Sequence, residues 1–500
     1  MKKKYYITTP IYYPSAKPHM GHAYSSISAD FIARYKRLEG YDVMFVTGTD
    51  EHGQKIQKSA DKRKLSPDIF CNEISKVFLD LTKTLNLSNT DFIRTTEIRH
   101  HKTVQKLWKI LEEKKFIYLS KYSGWYSVSD EAFYTESEIV EKDNIKLCEA
   151  SGSVVEWVEE ESYFFKLSEF QNLLIKHYED NPEFIQPSSR RNEVMSFVKG
   201  GLNDLSISRN SFKWGISVPN SKDHIVYVWL DALTNYLTAT NYFDENSSWP
   251  ADVHIIGKDI LRFHAVYWPA FLLAAEIPLP KKIFGHGWIL SGDEKMSKSK
   301  GNILDPIEIV NEFGLDEIRY YLMKEVMYGL DGNINIDNLK NCINSDLANN
   351  IGNLSQRIFV LINKYFSCKV PDPKSFLNGD QKFMEYPVEG LRKSMDNFEI
   401  HNYIREIISY SSKINKFVND EEPWTKAKNS DPRVWTILYV ALNALKNIFI
   451  LLHPVMPSKS EFYLSCLNIE SKNISLELIN KNLPVNTELK MPGLMFKKYI

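Results

Sequence analysis

Residues 5–53 decide the fold class and read YYITTPIYYPSAKPHMGHAYSSISADFIARYKRLEGYDVMFVTGTDEHG. Residues 5–9 form a short β-prone run, and from about His19 to Leu38 apolar residues recur on one helical face. Residues 42–47 form a second β-rich run that ends in a polar turn at 48–53. Strand, helix and strand in this order predict a βαβ unit of a parallel, doubly wound sheet.

The rest of the chain changes texture twice. Short aromatic strands lie among turns from about residue 116 to 228, which is typical of a small α+β insertion. Strand and helix signals of the first type then resume, and the pattern is helical beyond residue 301. We therefore predict an α/β fold, in which a doubly wound, Rossmann-like parallel sheet is split by the insertion and followed by an all-α helical bundle. The predicted boundaries are 1–115 and 229–290 for the halves of the sheet domain, 116–228 for the insertion, 291–340 for a loop and linker subdomain, and 341–500 for the helical domain.

Length and composition limit the class of protein. Five hundred residues, 43% of them apolar and 25% charged, indicate a folded chain of several domains. The net charge of -1 argues against a coat-like, non-specific nucleic-acid binder. The N-terminus lacks the apolar run of a signal sequence, and polar residues interrupt the most apolar segment, 438–452, so we expect no membrane span and a cytoplasmic protein. The cysteines are odd in number, form no CxxC pair and favour a reducing compartment: Cys71, Cys148, Cys342, Cys368 and Cys466.

The first candidate site is Pro18-His19-Met20-Gly21-His22, at the predicted start of the first helix. His19 and His22 are three residues apart and share a helix face. The free N–H groups and positive potential of a helix N-terminus suit a polyphosphate. Gly21 carries no side chain, so a flat base could lie against the backbone. A capped helix with two surface histidines explains this motif alone equally well.

The second candidate site is Lys295-Met296-Ser297-Lys298-Ser299, which lies between Gly292 and Gly301. Lysines among small hydroxyl residues, flanked by glycines, describe a mobile cationic loop. Such a loop can close on phosphates and neutralise charge that develops at the α-phosphate. Taken alone, a run of this kind is more often a solvated turn.

The two motifs together are far more specific than either alone. HMGH after the first strand and KMSKS after the last, on one split nucleotide-type fold, resemble the paired signature of class I aminoacyl-tRNA synthetases. Within that class the chain is similar to the methionyl-tRNA synthetase family over essentially all 500 residues. The segments that carry the resemblance are TPIYY (9–13), TGTDEHG (47–53), VWLDA (228–232), HIIGKDI (254–260) and FGHGW (284–288).

The resemblance implies an enzyme that forms methionyl-adenylate from methionine and ATP, releases pyrophosphate and transfers the methionyl group to the 3′ end of a tRNA. Magnesium would accompany the ATP. The implied catalytic residues are His19, His22, Lys295 and Lys298. The implied ATP-binding residues are His19, Gly21, His22, Gly257, Asp259, Trp288, Ile289 and Lys298.

The resemblance also implies where methionine binds. Asp50 would accept the substrate ammonium in a charge-assisted pair. The Ile11 backbone N–H and the Tyr236 hydroxyl would hydrogen-bond the sulfur, since an apolar slot alone separates methionine from leucine by only about 1–3 kcal/mol. Without the resemblance, Asp50 is equally a turn residue and the aromatic side chains are equally core. The full implied set is Pro10, Ile11, Tyr13, Asp50, Trp229, Leu233, Tyr236, Ile260 and His264.

In the helical region, Asn353, Arg357 and Trp424 match the family's readers of the methionine anticodon. Unpaired loop bases are recognised by stacking on aromatic rings and by hydrogen bonds from such polar side chains. A helix surface and a turn beginning with Pro423 explain the same residues without a ligand. The expected partners are therefore methionine, ATP and the methionine tRNA, through both its anticodon loop and its acceptor end.

The sequence departs from the family pattern in the insertion. Many relatives carry CxxC pairs that bind zinc there, whereas the corresponding stretches read SVSD (127–130) and CEAS (148–151). One thiol cannot complete a four-ligand structural zinc site, so we expect no zinc. The chain also ends where some relatives continue into a dimerising, tRNA-binding domain, so we expect a monomer.

Several alternatives remain open from the sequence. The leucine, isoleucine and valine enzymes of the class carry an editing insertion larger than residues 116–228 allow, and a cysteine enzyme would place zinc in its pocket. A nucleotidylyltransferase shares the HxGH motif but lacks the long helical region. A non-catalytic RNA-binding paralogue would be expected to have lost His19, His22 or Lys298.

Overall fold

The computed structural model describes residues 2–142, 144–244, 247–291, 294–295, 305–479 and 481–499, with the backbone alone described at 122, 291, 294 and 295. The chain divides into two compact units. Residues 5–29 and 44–286 form one, which we call the sheet unit. Residues 1–4, 30–43 and 287–500 form the other, which we call the helical unit.

Between residues 4 and 286, the described strands are β1 (Lys4–Tyr12), β2 (Asp42–Thr49), β3 (Asp91–Arg94), β4 (Ile117–Ser127), β5 (Ala132–Tyr134), β6 (Ile139–Lys142), β7 (Ile145–Cys148), β8 (Glu156–Phe165), β9 (Ile185–Gln186), β10 (Leu205–Ser206), β11 (Ser208–Arg209), β12 (Ile225–Val226), β13 (Val253–Gly257) and β14 (Ile283–His286). The helices are α1 (Met20–Leu38), α2 (Gln54–Lys62), α3 (Pro67–Thr84), α4 (Ile98–Glu113), α5 (Gln171–Asp180), α6 (Ser188–Lys199), α7 (Val228–Ala239) and α8 (Trp268–Ala274). Short 3-10 and π-helical turns (Lys258–Ile260 and Phe263–Tyr267) precede α8.

The main sheet of the sheet unit has six strands in the order β3-β2-β1-β13-β14-β9. The pairs β2–β3, β1–β13, β13–β14 and β14–β9 are parallel. Residues 6–10 of β1 are all buried, as expected for a parallel strand covered on both faces. Gly48 of β2 packs so closely on β3 that a Cβ there would lie 2.0 Å from the Ile93 carbonyl oxygen. The predicted doubly wound α/β fold is confirmed.

The stretch predicted as an insertion contains a four-stranded antiparallel sheet in the order β10-β8-β4-β5. β4 and β8 pair continuously from Ile117↔Phe165 to Tyr126↔Glu156. Several short strands were predicted here, because the acidic run 159–161 interrupts the apolar pattern. The run instead lies within one long strand, where Glu159 and Glu161 are exposed and the side chain of Glu160 is buried beside Arg209. β9, from the same stretch of sequence, instead joins the main sheet beside β14.

The segment 54–85 contains two helices, α2 and α3. Lys64 between them has φ of 56°, in the left-handed region that ends helices. Pro67 then begins α3, at the first helical position where its missing N–H costs nothing.

The helical unit contains β15 (Ile289–Ser291), β16 (Glu294–Lys295) and β17 (Gly332–Ile334), followed by a bundle. Its helices are α9 (Pro306–Phe313), α10 (Leu315–Glu325), α11 (Ile336–Cys342), α12 (Asn353–Phe366), α13 (Glu389–Asp396), α14 (Ile400–Glu421), α15 (Pro423–Lys428), α16 (Arg433–Leu452) and α17 (Pro457–Cys466), with a π-helical segment at Ile343–Gly352. By length and composition α16 could cross a membrane, but 94% of its most apolar window is buried inside the protein, as in a core helix.

Candidate active site

The two histidines of the HMGH motif lie at the start of α1, with ring centroids 3.9 Å apart. The His19 backbone N–H donates to Nδ1 of His22 (3.1 Å), and the Gly21 N–H donates to Nδ1 of His19 (3.0 Å). An imidazole nitrogen that accepts a hydrogen bond carries no proton, so both neutral rings are protonated on Nε2. Each ring therefore presents an N–H donor through Nε2, which suits a phosphate oxygen.

Packing keeps His22 neutral. Its ring contacts Tyr12 and Phe78 edge-on, at centroid distances of 4.9 and 5.3 Å. Burial and the neighbouring His19 lower the pKa of His22 well below its usual range. Gly21 allows this arrangement, since a Cβ there would lie 2.8 Å from Cε1 of His19. The structure thus gives Gly21 a role in seating a histidine, and its predicted role in the approach of a base stays a prediction.

Asp50 follows β2 at the carboxyl end of the parallel sheet, where its backbone N–H donates to the Tyr12 carbonyl oxygen (2.9 Å). The side chain is buried, and its Oδ1 atom has no hydrogen-bond partner. Burial, and then the negative charges of Asp231 and Glu131, raise the pKa of Asp50 well above its usual range. A cation bound at Oδ1 would satisfy this atom and favour its ionised form.

Asp231 lies beside this turn and was not predicted as a site residue. Its carboxylate accepts from Nδ1 of His52 (2.6 Å) and Nε2 of His100 (2.7 Å). Burial raises the pKa of Asp231, but the contacts with His52 and His100 lower it further, to about 2. Asp231 therefore ties α7 and α4 to the turn that carries Asp50. The VWLDA segment held a signal for it, because an aspartate within an apolar helix must find buried partners.

α7 and the π-helical turn bring together the predicted pocket residues Trp229, Tyr236 and His264. The His264 Nδ1 atom lies 3.0 Å from the Ile260 carbonyl oxygen, so Nδ1 carries the proton. Nε2 of His264 then accepts from the Tyr236 hydroxyl at 2.7 Å. Burial lowers the pKa of His264 to about 4, which keeps this ring neutral near pH 7.

This arrangement alters the expected contact with sulfur. The Tyr236 hydroxyl hydrogen is committed to His264, so the hydroxyl must rotate before it can donate to a thioether. Trp229 stacks on Phe263 with centroids 3.7 Å apart and planes 4° apart. Phe263 was missed by the sequence analysis, where nothing distinguished it from core residues.

The remaining predicted residues of the sheet unit lie around the same edge of the sheet. The Thr8 hydroxyl and Nδ1 of His254 are hydrogen-bonded at 2.8 Å, and the ring centroids of His254 and Tyr236 are 4.1 Å apart. These contacts bring β1 close to α7. Pro10 and Ile11 follow on β1, and Leu233 is buried on α7. At the end of β13, a Cβ on Gly257 would meet Oδ1 of Asp259 at 2.6 Å, so Gly257 leaves room for that carboxylate.

Two predicted ATP-binding residues belong to the helical unit. The Trp288 backbone N–H donates to Oδ1 of Asp331 (2.8 Å), and Ile289 pairs with Gly332 between β15 and β17. Lys295 pairs through its backbone with Leu290. The side chain of Lys295 and all of Lys298 lie outside the described residues.

The predicted anticodon residues Arg357 and Trp424 lie together in the helical unit, with the guanidinium 5.9 Å from the Trp424 ring. Asn353 lies one turn before Arg357 at an exposed position of α12. The guanidinium donates to two amide oxygens, of Asn419 (2.7 Å) and Asn415 (2.8 Å). These two asparagines of α14 were missed, since their distance from Arg357 in sequence hides the contact.

The stretches SVSD (127–130) and CEAS (148–151), where we predicted no zinc, meet through Asp130. Its carboxylate accepts from Ser151 (2.6 Å) and Ser153 (2.7 Å), and its backbone N–H donates to Ser127 (3.2 Å). Within the ranges that the structure describes, no group of three or more histidine, cysteine or acidic side chains is disposed to hold a metal ion.

Known proteins match this chain in sequence and in structure over nearly its whole length. A family model described as class I tRNA synthetases (M) covers residues 5–359, and the anticodon binding domain of methionyl tRNA ligase covers 377–500. Methionine–tRNA ligases of Rickettsia conorii and Brucella suis are each 46% identical over 100% of this chain and 100% and 98% of theirs. A structure of Mycobacterium tuberculosis methionyl-tRNA synthetase in complex with methionyl-adenylate superposes with a TM-score of 0.97, at 44% identity over 99% of both chains. The free form of that enzyme matches with a TM-score of 0.90 at 41% identity, over 100% of this chain and 99% of its own. The chain therefore belongs to the methionyl-tRNA synthetase family of class I aminoacyl-tRNA synthetases, a family of ligases.

Proposed function

We propose that this chain attaches methionine to its cognate tRNA in two steps. A carboxylate oxygen of methionine attacks the α-phosphorus of ATP, and the bond to pyrophosphate breaks to leave methionyl-adenylate. A terminal ribose hydroxyl of the tRNA then attacks the acyl carbon, and AMP leaves. The observation that carries the proposal is the pair of imidazoles at the start of α1, both with Nδ1 occupied by a backbone N–H.

In the first step, His19 and His22 donate from Nε2 to phosphate oxygens, where negative charge develops in the transition state. Donors held in place before the reaction need no reorganisation when that charge appears. Lys295 and Lys298 add positive charge, Gly257 and Asp259 hold the ribose, and Trp288 and Ile289 flank the adenine, roles that rest on the family resemblance. Positioning and electrostatics suffice, because the substrate carboxylate is itself the nucleophile.

For methionine, we assign the ammonium to Asp50, whose buried Oδ1 has no hydrogen-bond partner. Trp229, Tyr236 and His264 contact the side chain, with Leu233 and Ile260 behind them and Pro10, Ile11 and Tyr13 at the entrance. The Ile11 N–H and the Tyr236 hydroxyl donate to the sulfur, the latter after rotating away from His264. This rotation breaks the hydrogen bond between Tyr236 and His264, a cost that the new bond to sulfur must offset.

For tRNA, we assign Asn353, Arg357 and Trp424 to the anticodon loop, with a base stacked on Trp424 and base edges bonded by the other two. The acceptor end reaches the adenylate in the second step. The proposal keeps the predicted domain boundaries, which follow residues 115, 228, 290 and 340.

Magnesium enters with ATP in this proposal. The described residues hold no cluster of three acidic or histidine ligands, which fits an ion carried by substrate phosphates and water rather than by a protein cage. When bound, the ion would neutralise phosphate charge. We further propose a monomer in the cytoplasm. We also propose that the chain needs no zinc, because hydrogen bonds to Asp130 link residues 127–130 to residues 148–153.

Pyrophosphate exchange into ATP with each of the twenty amino acids tests the activity. We expect exchange with methionine alone, and Lys298→Ala is expected to slow it about 100-fold because the loop charge is lost. Exchange with another amino acid at equal efficiency, or none with methionine, would contradict the proposal. Zinc in elemental analysis of the purified chain would contradict the metal assignment.

A further inference from the structure

Glu131 is a buried carboxylate between β4 and β5, in the stretch predicted as an insertion. Its backbone has φ of 49°, in the left-handed region that residues other than glycine seldom adopt. Such a conformation costs free energy and persists only where the surroundings impose it. The adjacent Asp130 is held in place by hydrogen bonds from Tyr134 (2.9 Å), Ser151 and Ser153.

The Glu131 side chain reaches the edge of the main sheet that carries Asp50. Its Oε1 atom accepts from the Lys55 backbone N–H (2.9 Å), at the start of α2, and lies 3.0 Å from the Tyr13 hydroxyl. Its Oε2 atom accepts from the Tyr126 hydroxyl. The Tyr13 hydroxyl is also 2.7 Å from the His52 carbonyl oxygen, so its single proton is shared between the turn and Glu131.

The space between these groups is tight. A Cβ on Gly53 would lie 2.4 Å from the Tyr13 hydroxyl and 2.9 Å from Oε1 of Glu131. Gly53 itself has φ of 102°, which only glycine adopts freely. The end of β1, the turn after β2 and the start of α2 therefore converge on one carboxylate.

We propose that Glu131 is a positioning residue of the amino-acid site, through which the insertion holds Tyr13 and the turn that presents Asp50. This inference rests on the proposed function, since it assigns Asp50 to the substrate ammonium. A turn fixed before binding loses less conformational entropy when methionine arrives, so the effect falls on methionine affinity. The negative charge of Glu131 also favours a cation beside Asp50.

Methionine-dependent pyrophosphate exchange with Glu131→Ala and Glu131→Gln tests the proposal. We expect Glu131→Ala to raise KM for methionine at least tenfold, while KM for ATP changes less than twofold. Glu131→Gln keeps an acceptor oxygen for Lys55 and is expected to lose less. Glu141→Gln, which removes an exposed carboxylate of the same module, is the matched control and should match the parent protein.

A double variant distinguishes positioning from general support of the fold. If Glu131 acts through Tyr13, Glu131→Gln combined with Tyr13→Phe will lose little more than the worse single variant, because coupled residues are not additive. Additive losses, an unchanged KM for methionine in Glu131→Ala, or parallel rises in both KM values with a lowered Tm would each overturn the proposal. If Glu131→Ala does not fold, the KM values for methionine of Glu131→Gln and of the double variant with Tyr13→Phe decide. Absence of exchange in the parent protein would instead overturn the proposed function.

Discussion

Asp50 in the sheet unit and Arg357 in the helical unit are charged side chains that meet neutral groups or like charges, rather than the opposite charges that would neutralise them. The charges that act most on Asp50 are the carboxylates Asp231, Glu131 and Glu51. Arg357 donates to two neutral amides and faces a tryptophan ring. Elsewhere the same chain pairs buried charges directly, as in Arg319 with Asp30 at 2.6 Å. This difference supports the proposed roles of the two side chains, in which the buried Asp50 binds an ammonium and the half-buried Arg357 binds an RNA loop.

The largest effect should follow from removing the charge at Asp50. Asp50→Asn is expected to lower kcat/KM for methionine in pyrophosphate exchange about 1000-fold, since losing one partner of a buried charge pair costs about 2–5 kcal/mol. Because Oδ1 of the parent carboxyl is buried without a hydrogen-bond partner, Tm should stay level or rise. Asp61→Asn, at an exposed position of α2, is the control. A loss below tenfold would show that the ammonium binds elsewhere.

The second largest effect should follow from removing the aromatic ring of Trp424, which we assign to the anticodon loop. Trp424→Ala is expected to lower kcat/KM for tRNA charging about 10–100-fold, because one stacked base contributes about 1–3 kcal/mol. Pyrophosphate exchange without tRNA should not change, and Trp424→Phe should lose less because it keeps a ring. Equal losses in charging and in exchange would instead indicate a role in folding.

A smaller effect should follow from neutralising Arg357 in place. Asn415→Asp and Asn419→Asp each put a carboxylate where an amide oxygen now accepts from the guanidinium. We expect tRNA charging to weaken about tenfold while exchange is unchanged, since an ion pair within the protein competes with RNA. Asn363→Asp adds the same charge at an exposed position of α12 and serves as control. If all three variants weaken charging equally, net charge rather than Arg357 is responsible.

The smallest effect concerns pH. Only ionised Asp50 pairs with an ammonium, and burial beside Asp231 and Glu131 raises the pKa of Asp50 above its usual range. kcat/KM for methionine should therefore fall as pH falls through that raised pKa, by up to a few-fold in mildly acidic buffer. Saturating methionine should move the decline in rate to lower pH, because the bound ammonium favours the carboxylate. A profile unchanged by methionine would mean that another group titrates.

Much of the site was predictable because motifs mark chain positions that the fold brings to one edge. The carboxyl ends of parallel strands meet there, so β1 and β2 place the histidine motif and Asp50 at the same edge. Arg357 and Trp424 were predicted together from the family resemblance, and the structure brings their side chains together. The confirmed family resemblance followed from the same segments.

Other parts could not be predicted, for a common reason. Asp231 meets His52 across 179 residues, and Glu131 meets Tyr13 across 118. No local pattern encodes such pairs, since each residue has an ordinary role in its own segment. The hydrogen positions on His19, His22 and His264 were equally hidden, because they depend on which backbone group lies beside each nitrogen.

The sequence by itself determined the class of sheet, the family and the kinds of side chain that we propose for the substrate sites, since apolar periodicity and short motifs act over a few residues. Tertiary structure alone decided which of those side chains keep a charge unneutralised. That property depends on the full set of neighbours around a carboxylate or guanidinium, and those neighbours come from distant parts of the chain.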